Sequence, residues 1–240
     1  MQNIHYAVQP QGMMKRVHRQ VAILGFVVAV LLVACNPVAS IASPSQFLNL
    51  GDVRERYTFD DSATTWETFS TEGSEALFQV ADSALMGAVI PNMGYVWSLS
   101  GTRRANVAIQ VTVQQTQGAS GNGFGVMCRA DAVGNGYYFV ISSAGQFAIL
   151  KGSPRQIDPV PLVEWQSSEA IHPGTMENEL LAVCTADYLS FSVNGQFLAE
   201  AYDDEFAAGE LGMVLGAVGE TAWVRFDTIL VRDANLVAGR

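Results

Sequence analysis

The chain has 240 residues, enough for one domain and a targeting segment, and 49% of them are hydrophobic, enough for a full core. Thirteen Lys and Arg stand against 23 Asp and Glu, giving a formal charge of −10, and such a surface repels nucleic acid and anionic lipid headgroups. Lys151 is the only lysine beyond Lys15, which argues against phosphate binding.

Residues 1–34 carry the features of a secretory signal. Lys15, Arg16 and Arg19 precede the uncharged run Val21–Ala34, and small residues close it. At 14 residues the run is short for a spanning helix, which needs about 20. An ordinary n-region length results if translation starts at Met13 or Met14. Leu32-Val33-Ala34-Cys35 resembles a bacterial lipobox, in which the cysteine is lipidated and becomes the new N-terminus. The implied location is the extracytoplasmic face of a cell membrane or envelope, held by a lipid anchor. Removing the three basic residues of the signal takes the formal charge from −10 to −13.

Residues 35–52, with Pro37, Pro44 and several serines, read as a flexible tether, and residues 53–235 as the folded domain. Helical periodicity is scarce there. Val107, Ile109, Val111 and Val113 alternate with smaller or polar residues, as do Phe124, Val126 and Cys128. Tyr137, Phe139 and Ile141 share one face of the next strand, and Gln146 to Leu150 returns as its hairpin partner after Ser142-Ser143-Ala144-Gly145. Leu181 to Thr185, Tyr188 to Val193 and Phe197 to Tyr202 follow, the last two joined by the hairpin dipeptide Asn194-Gly195. Leu211 to Ala217 and Ala222 to Arg232 close the domain. The expectation is an all-β sandwich of about a dozen antiparallel strands. With Cys35 assigned to lipid, Cys128 and Cys184 remain as an even pair outside the cytoplasm, which points to a disulfide, two buried thiols being the alternative.

Several blocks resemble the concanavalin-like jelly roll of the laminarinase and laminin-G type. They are Gly125-Val126-Met127-Cys128-Arg129, Gly136 through Ser142, Leu189 through Gly195, Phe206 through Gly212 and Val224-Arg225-Phe226-Asp227, with Tyr57 through Asp61 and Trp66 at the start. The resemblance covers residues 54–233 and implies the fold; glycosidases, lectins and structural modules share that fold, so it leaves function open.

Glycosidases of this fold carry a Glu-x-Asp-x-x-Glu strand, and retaining chemistry sets two carboxyls about 5 Å apart. No acidic cluster here has that spacing. Glu164, Glu169, Glu177 and Glu179 read as loop acids and Asp203-Asp204-Glu205 as a solvated turn. His172 is the single histidine after the signal, too few for a histidine-rich zinc site, and no Gly-x-Ser-x-Gly elbow accompanies it. The glycines at 118, 121, 123 and 125 are followed by strand alternation, so they read as a hairpin loop and not as a nucleotide loop.

No enzyme is therefore expected. The first functional reading is carbohydrate binding on an open sheet face. Strand alternation turns Met127, Arg129 and Tyr138 away from the core, and Trp97 and Trp165 are candidates to join Arg129 and Tyr138 there; the alternative is that Trp66, Trp97, Trp165 and Trp223 all fill the sandwich. The second reading is an envelope interaction domain with no small ligand, and a glycoside hydrolase is the third. No cofactor is required. The resemblance makes Asp60, Asp61 and Asp227 candidate calcium ligands, if first and last strands pair and backbone carbonyls complete the site.

Overall fold

The computed structural model describes residues 44–60, 64–153 and 158–237. Cys35 and Asp61 lie outside the described residues. Fifteen strands are present: β1 (Leu48–Tyr57), β2 (Phe69–Ser70), β3 (Ala76–Ala81), β4 (Ala84–Val89), β5 (Tyr95–Arg104), β6 (Val107–Gln117), β7 (Gly123–Ala130), β8 (Gly136–Ser142), β9 (Gln146–Gly152), β10 (Val160–Ser167), β11 (Asn178–Thr185), β12 (Tyr188–Val193), β13 (Gln196–Tyr202), β14 (Gly209–Gly216) and β15 (Ala222–Leu236). No helix among the described residues is long and apolar enough to cross a membrane.

The strands form two antiparallel sheets, a jelly-roll sandwich. One has nine strands in the order β13-β12-β11-β6-β15-β4-β3-β2, with β1 also paired to β15; the other has six in the order β10-β9-β8-β7-β14-β5. β15 is long enough to serve two partners on one edge. Its first half pairs with β4, Phe226 opposite Leu85, and its second half with β1, Tyr57 opposite Ile229. The first and last strands therefore meet. The sheet begins at Leu48, so Leu48 to Asp52 belong to β1 and not to the tether. Leu48, Asn49 and Leu50 pair with Leu236, Asn235 and Ala234, so the ladder extends to Leu236.

Alternating apolar residues of both sheets fill the space between them. Phe78, Ile109, Val111 and Phe226 come from the nine-stranded sheet, and Val126, Phe139, Ile149 and Leu215 from the six-stranded one. Phe139 and Phe147 both meet Phe191 edge-on across the sandwich, with ring centroids 5.6 and 6.4 Å apart. The Cys128–Cys184 disulfide ties β7 to β11, hence one sheet to the other, with a Cα–Cα distance of 6.6 Å and both residues fully buried. Asn194 and Gly195 both have positive φ, 50° and 77°, which the tight β12–β13 hairpin requires.

Alternation fails at the end of β7. The pairing of β14 with β7 shifts between Glu210 and Gly212, and Arg129 takes φ 52°. This bulge turns Arg129 away from the outer face where the sequence placed it. Its side chain is 3% exposed and donates to the carbonyls of Ala105 and Phe206, at 2.9 and 2.8 Å. Burial lowers its pKa, opposed by nearby Tyr137. Arg129 thus fastens two loops.

Candidate functional site

The outer face of the six-stranded sheet is apolar, and this positions the site. Leu99, Met127, Tyr138, Val140, Leu150 and Val214 form a second cluster there, with Tyr95 and Trp97 half-buried against it. Met127 does point outward from the core, as expected, but is itself covered. Tyr95, Trp97 and Leu99 alternate on β5, and Tyr138 and Val140 on β8, so rings from two separate strands converge. Tyr95 and Tyr138 lie 5.8 Å apart, tilted by 31°.

The turn between β7 and β8 closes over these rings. The Asp131 carboxylate accepts from the backbone amides of Val133 and Asn135, both at 3.0 Å, and from the Asn135 amide at 2.7 Å. Trp97 packs so closely on Gly134 that a Cβ there would lie 2.5 Å from its ring. The Tyr138 hydroxyl donates to the Gly134 carbonyl. Burial first, and the Asp131 charge second, push the Tyr138 pKa up. Burial pushes that of Tyr95 up to about 12. Both phenols stay protonated, and that of Tyr138 is the donor already engaged by the turn.

Two adjoining cavities result. The first, about 670 Å³, is lined by Tyr95, Trp97 and Tyr138 with Asn92, Asn135 and Asp158. The second, about 480 Å³, is lined by Tyr95, Trp165, Glu164, Asp158, Pro161 and Val218 among others. They share Gly94, Tyr95, Asp158 and Pro159, so they form one groove with Tyr95 at its waist. The exposed apolar side chains Met93, Val133, Trp165 and Val218 all lie along it. Of the residues expected to bind ligand, Trp97, Tyr138 and Trp165 line this groove, and Arg129 does not. Tyr95 was missed, although it shares the face of Trp97 two residues on.

The other candidates lie elsewhere. Trp66 is 2% exposed in the core, as a filler. Glu164 and Glu179 stand on β10 and β11 instead of in loops. Asp203 is not a solvated acid: it accepts from Lys151 at 2.5 Å and from the Tyr137 hydroxyl at 2.6 Å, while Lys151 also reaches Glu205 at 3.1 Å. Burial raises the Asp203 pKa, but these bonds and the Glu205 amide outweigh it and hold the carboxyl below its ordinary value. Asp60 is exposed and Asp227 is engaged by Arg225 at 2.8 Å. Among the described residues no three His, Cys, Asp or Glu side chains group to hold a metal. The loop glycines divide: Gly118 and Gly121 are in the connection, whereas Gly123 and Gly125 are strand residues of β7.

No protein-family model and no curated protein matches the sequence. Solved structures do match the fold. A carbohydrate-binding module from Bacillus subtilis aligns with a TM-score of 0.56 at 16% identity, over 71% of this chain and 96% of that one. A Bacillus subtilis protein of unknown function with a galectin-like fold aligns at 0.57 and 11% identity, over 78% and 99%. The catalytic domain of an endo-1,3-beta-glucanase (laminarinase) from Thermotoga petrophila aligns at 0.55 and 9% identity, over 78% and 99%. The chain thus has the concanavalin-like sandwich fold shared by carbohydrate-binding modules and glycan-active enzymes.

Proposed function

We propose that this chain is a non-catalytic carbohydrate-binding module, held at the extracytoplasmic face of a membrane by lipid on Cys35. The observation that carries the binding reading is the groove across Tyr95, with rings from β5, β8 and β10 brought onto one face. Aromatic faces stack on the C–H surfaces of sugars, while phenol and indole N–H groups supply hydrogen bonds. The names of the fold neighbours, a carbohydrate-binding module and a laminarinase among them, agree with a glycan ligand. The non-catalytic part rests on the lack of the paired-carboxylate strand in the sequence. The lipid-anchor reading rests on Leu32-Val33-Ala34-Cys35, and the buried disulfide agrees with an oxidising compartment.

A glycan array probed with the purified protein tests the binding reading. Wild type retains a subset of glycans, and Trp97→Ala, which strips the ring over Gly134, loses them. Retention undiminished in Trp97→Ala would place binding elsewhere. Turnover of a polysaccharide that vanishes on changing one Asp or Glu would overturn the non-catalytic part.

A further inference from the structure

Six tyrosines lie among the described residues, and five have committed hydroxyls. Tyr57 bonds to Glu55, Tyr137 to Asp203, Tyr138 to Gly134, Tyr188 to Glu200 and Tyr202 to Ser45. The Tyr95 hydroxyl has no hydrogen-bond partner among the described residues, and its ring is half-buried at the waist of the groove. That hydroxyl is open to solvent in the groove, so a free phenol at the meeting point of two cavities can exchange water for a ligand hydroxyl and marks a position for one. Asp158, shared by both cavities, and Glu164 in the second also have no ion pair or hydrogen bond among the described residues.

These observations set the ligand's size and charge. Building on the carbohydrate reading, we propose that the groove takes an uncharged glycan of at least two sugar units laid across Tyr95, with the Tyr95 hydroxyl bonding the ligand at the crossing and Asp158 and Glu164 turning acidic glycans away. The cavities are continuous through Gly94, Tyr95, Asp158 and Pro159, so a single sugar fills one side only. Sugar hydroxyls donate to unpaired carboxylates; a uronate or sulfate brings like charge against them, and the formal charge of −10 adds long-range repulsion.

Native electrophoresis of the full chain through gels containing a neutral glucan, mannan or fructan, polygalacturonate, or a deacetylated glucosamine polymer tests the proposal. At least one neutral polysaccharide retards the protein, and polygalacturonate does not. Calorimetry with oligosaccharides cut from the retarding polymer shows affinity rising from the monosaccharide to the trisaccharide. Tyr95→Phe keeps the ring over the sheet and weakens binding about three- to tenfold, the effect of one hydrogen bond. The double variant Asp158→Asn with Glu164→Gln gains retardation by polygalacturonate. Retardation of wild type by polygalacturonate, or a stronger effect of the glucosamine polymer than of every neutral one, overturns the charge assignment. Unchanged affinity in Tyr95→Phe, or full affinity for a monosaccharide, overturns the placement across Tyr95. Retardation by none of the polymers overturns the carbohydrate reading itself.

Discussion

The hydroxyl of Tyr95 rests against Gly123: a Cβ on that glycine would lie 2.6 Å from it and 3.4 Å from the ring of Trp165. The bare strand there leaves room for the end of the Tyr95 side chain. Gly123→Ala pushes the end of the Tyr95 side chain into the groove while leaving the core untouched. The expected cost in stability is about 1–2 kcal/mol by urea denaturation, with glycan binding lost. Gly125, two residues on, faces the Phe139 carbonyl, a backbone atom with nowhere to move. Gly125→Ala is expected to cost more than about 3 kcal/mol. Equal losses of stability in the two variants would show that Tyr95 is not the yielding partner.

The disulfide between Cys128 and Cys184 joins the sheets across a sequence separation of 56, and both residues are fully buried. Closing a loop of that length in the unfolded chain stabilises by about 4 kcal/mol on the chain-entropy model. The native protein is expected to resist dithiothreitol until denaturant opens it, and the Cys128→Ala, Cys184→Ala double variant to unfold at markedly lower urea. Rapid reduction of the folded protein would contradict the burial.

Lys151, Asp203 and Tyr137 clamp the β13–β14 turn onto the six-stranded sheet. Asp203 is held below its ordinary value of 3.8, so its contribution is complete above that value and is lost as pH falls through the lower folded value. Lys151 is raised above 10.5, chiefly by its bond to Asp203, so its contribution is complete below 10.5 and fades as pH rises through the higher folded value. Urea midpoints measured from pH 2 to 6 are expected to fall on the acid side in wild type and to flatten there in Asp203→Asn. Lys151→Met is expected to cost about 2 kcal/mol at neutral pH, because it strips a charged partner from a mostly buried carboxylate. An acid limb unchanged in Asp203→Asn would assign it to other carboxylates.

Strands with one clean apolar face were legible in the sequence. β6 to β9 and β11 to β15 show period-two alternation or a marked hairpin, and the jelly roll follows from their order. β3 and β4 were not, because their sequences, ALFQVA and ALMGAV, show no clean apolar–polar alternation. β5 alternates at Tyr95, Trp97 and Leu99 but was not read as a strand, and Tyr95 was missed with it. Tyr138 was placed on the outer face by strand parity, whereas Trp97 and Trp165 were candidates only because large aromatic residues are few. Arg129 was misplaced by a bulge, which reverses parity without a sequence mark. The pairing of Lys151 with Asp203 spans 52 residues and depends on how β9 and the β13–β14 turn come together.

The central claim, that a glycan lies in the groove across Tyr95, is tested most directly by the four tryptophan indole N–H signals in a two-dimensional NMR spectrum. Trp97 and Trp165 line the groove, Trp66 is in the core, and Trp223 is on β15 of the other sheet. Titration with a neutral oligosaccharide that binds is predicted to shift the Trp97 and Trp165 signals and leave Trp66 and Trp223 in place. Shifts confined to Trp223, or binding that moves neither Trp97 nor Trp165, would contradict it.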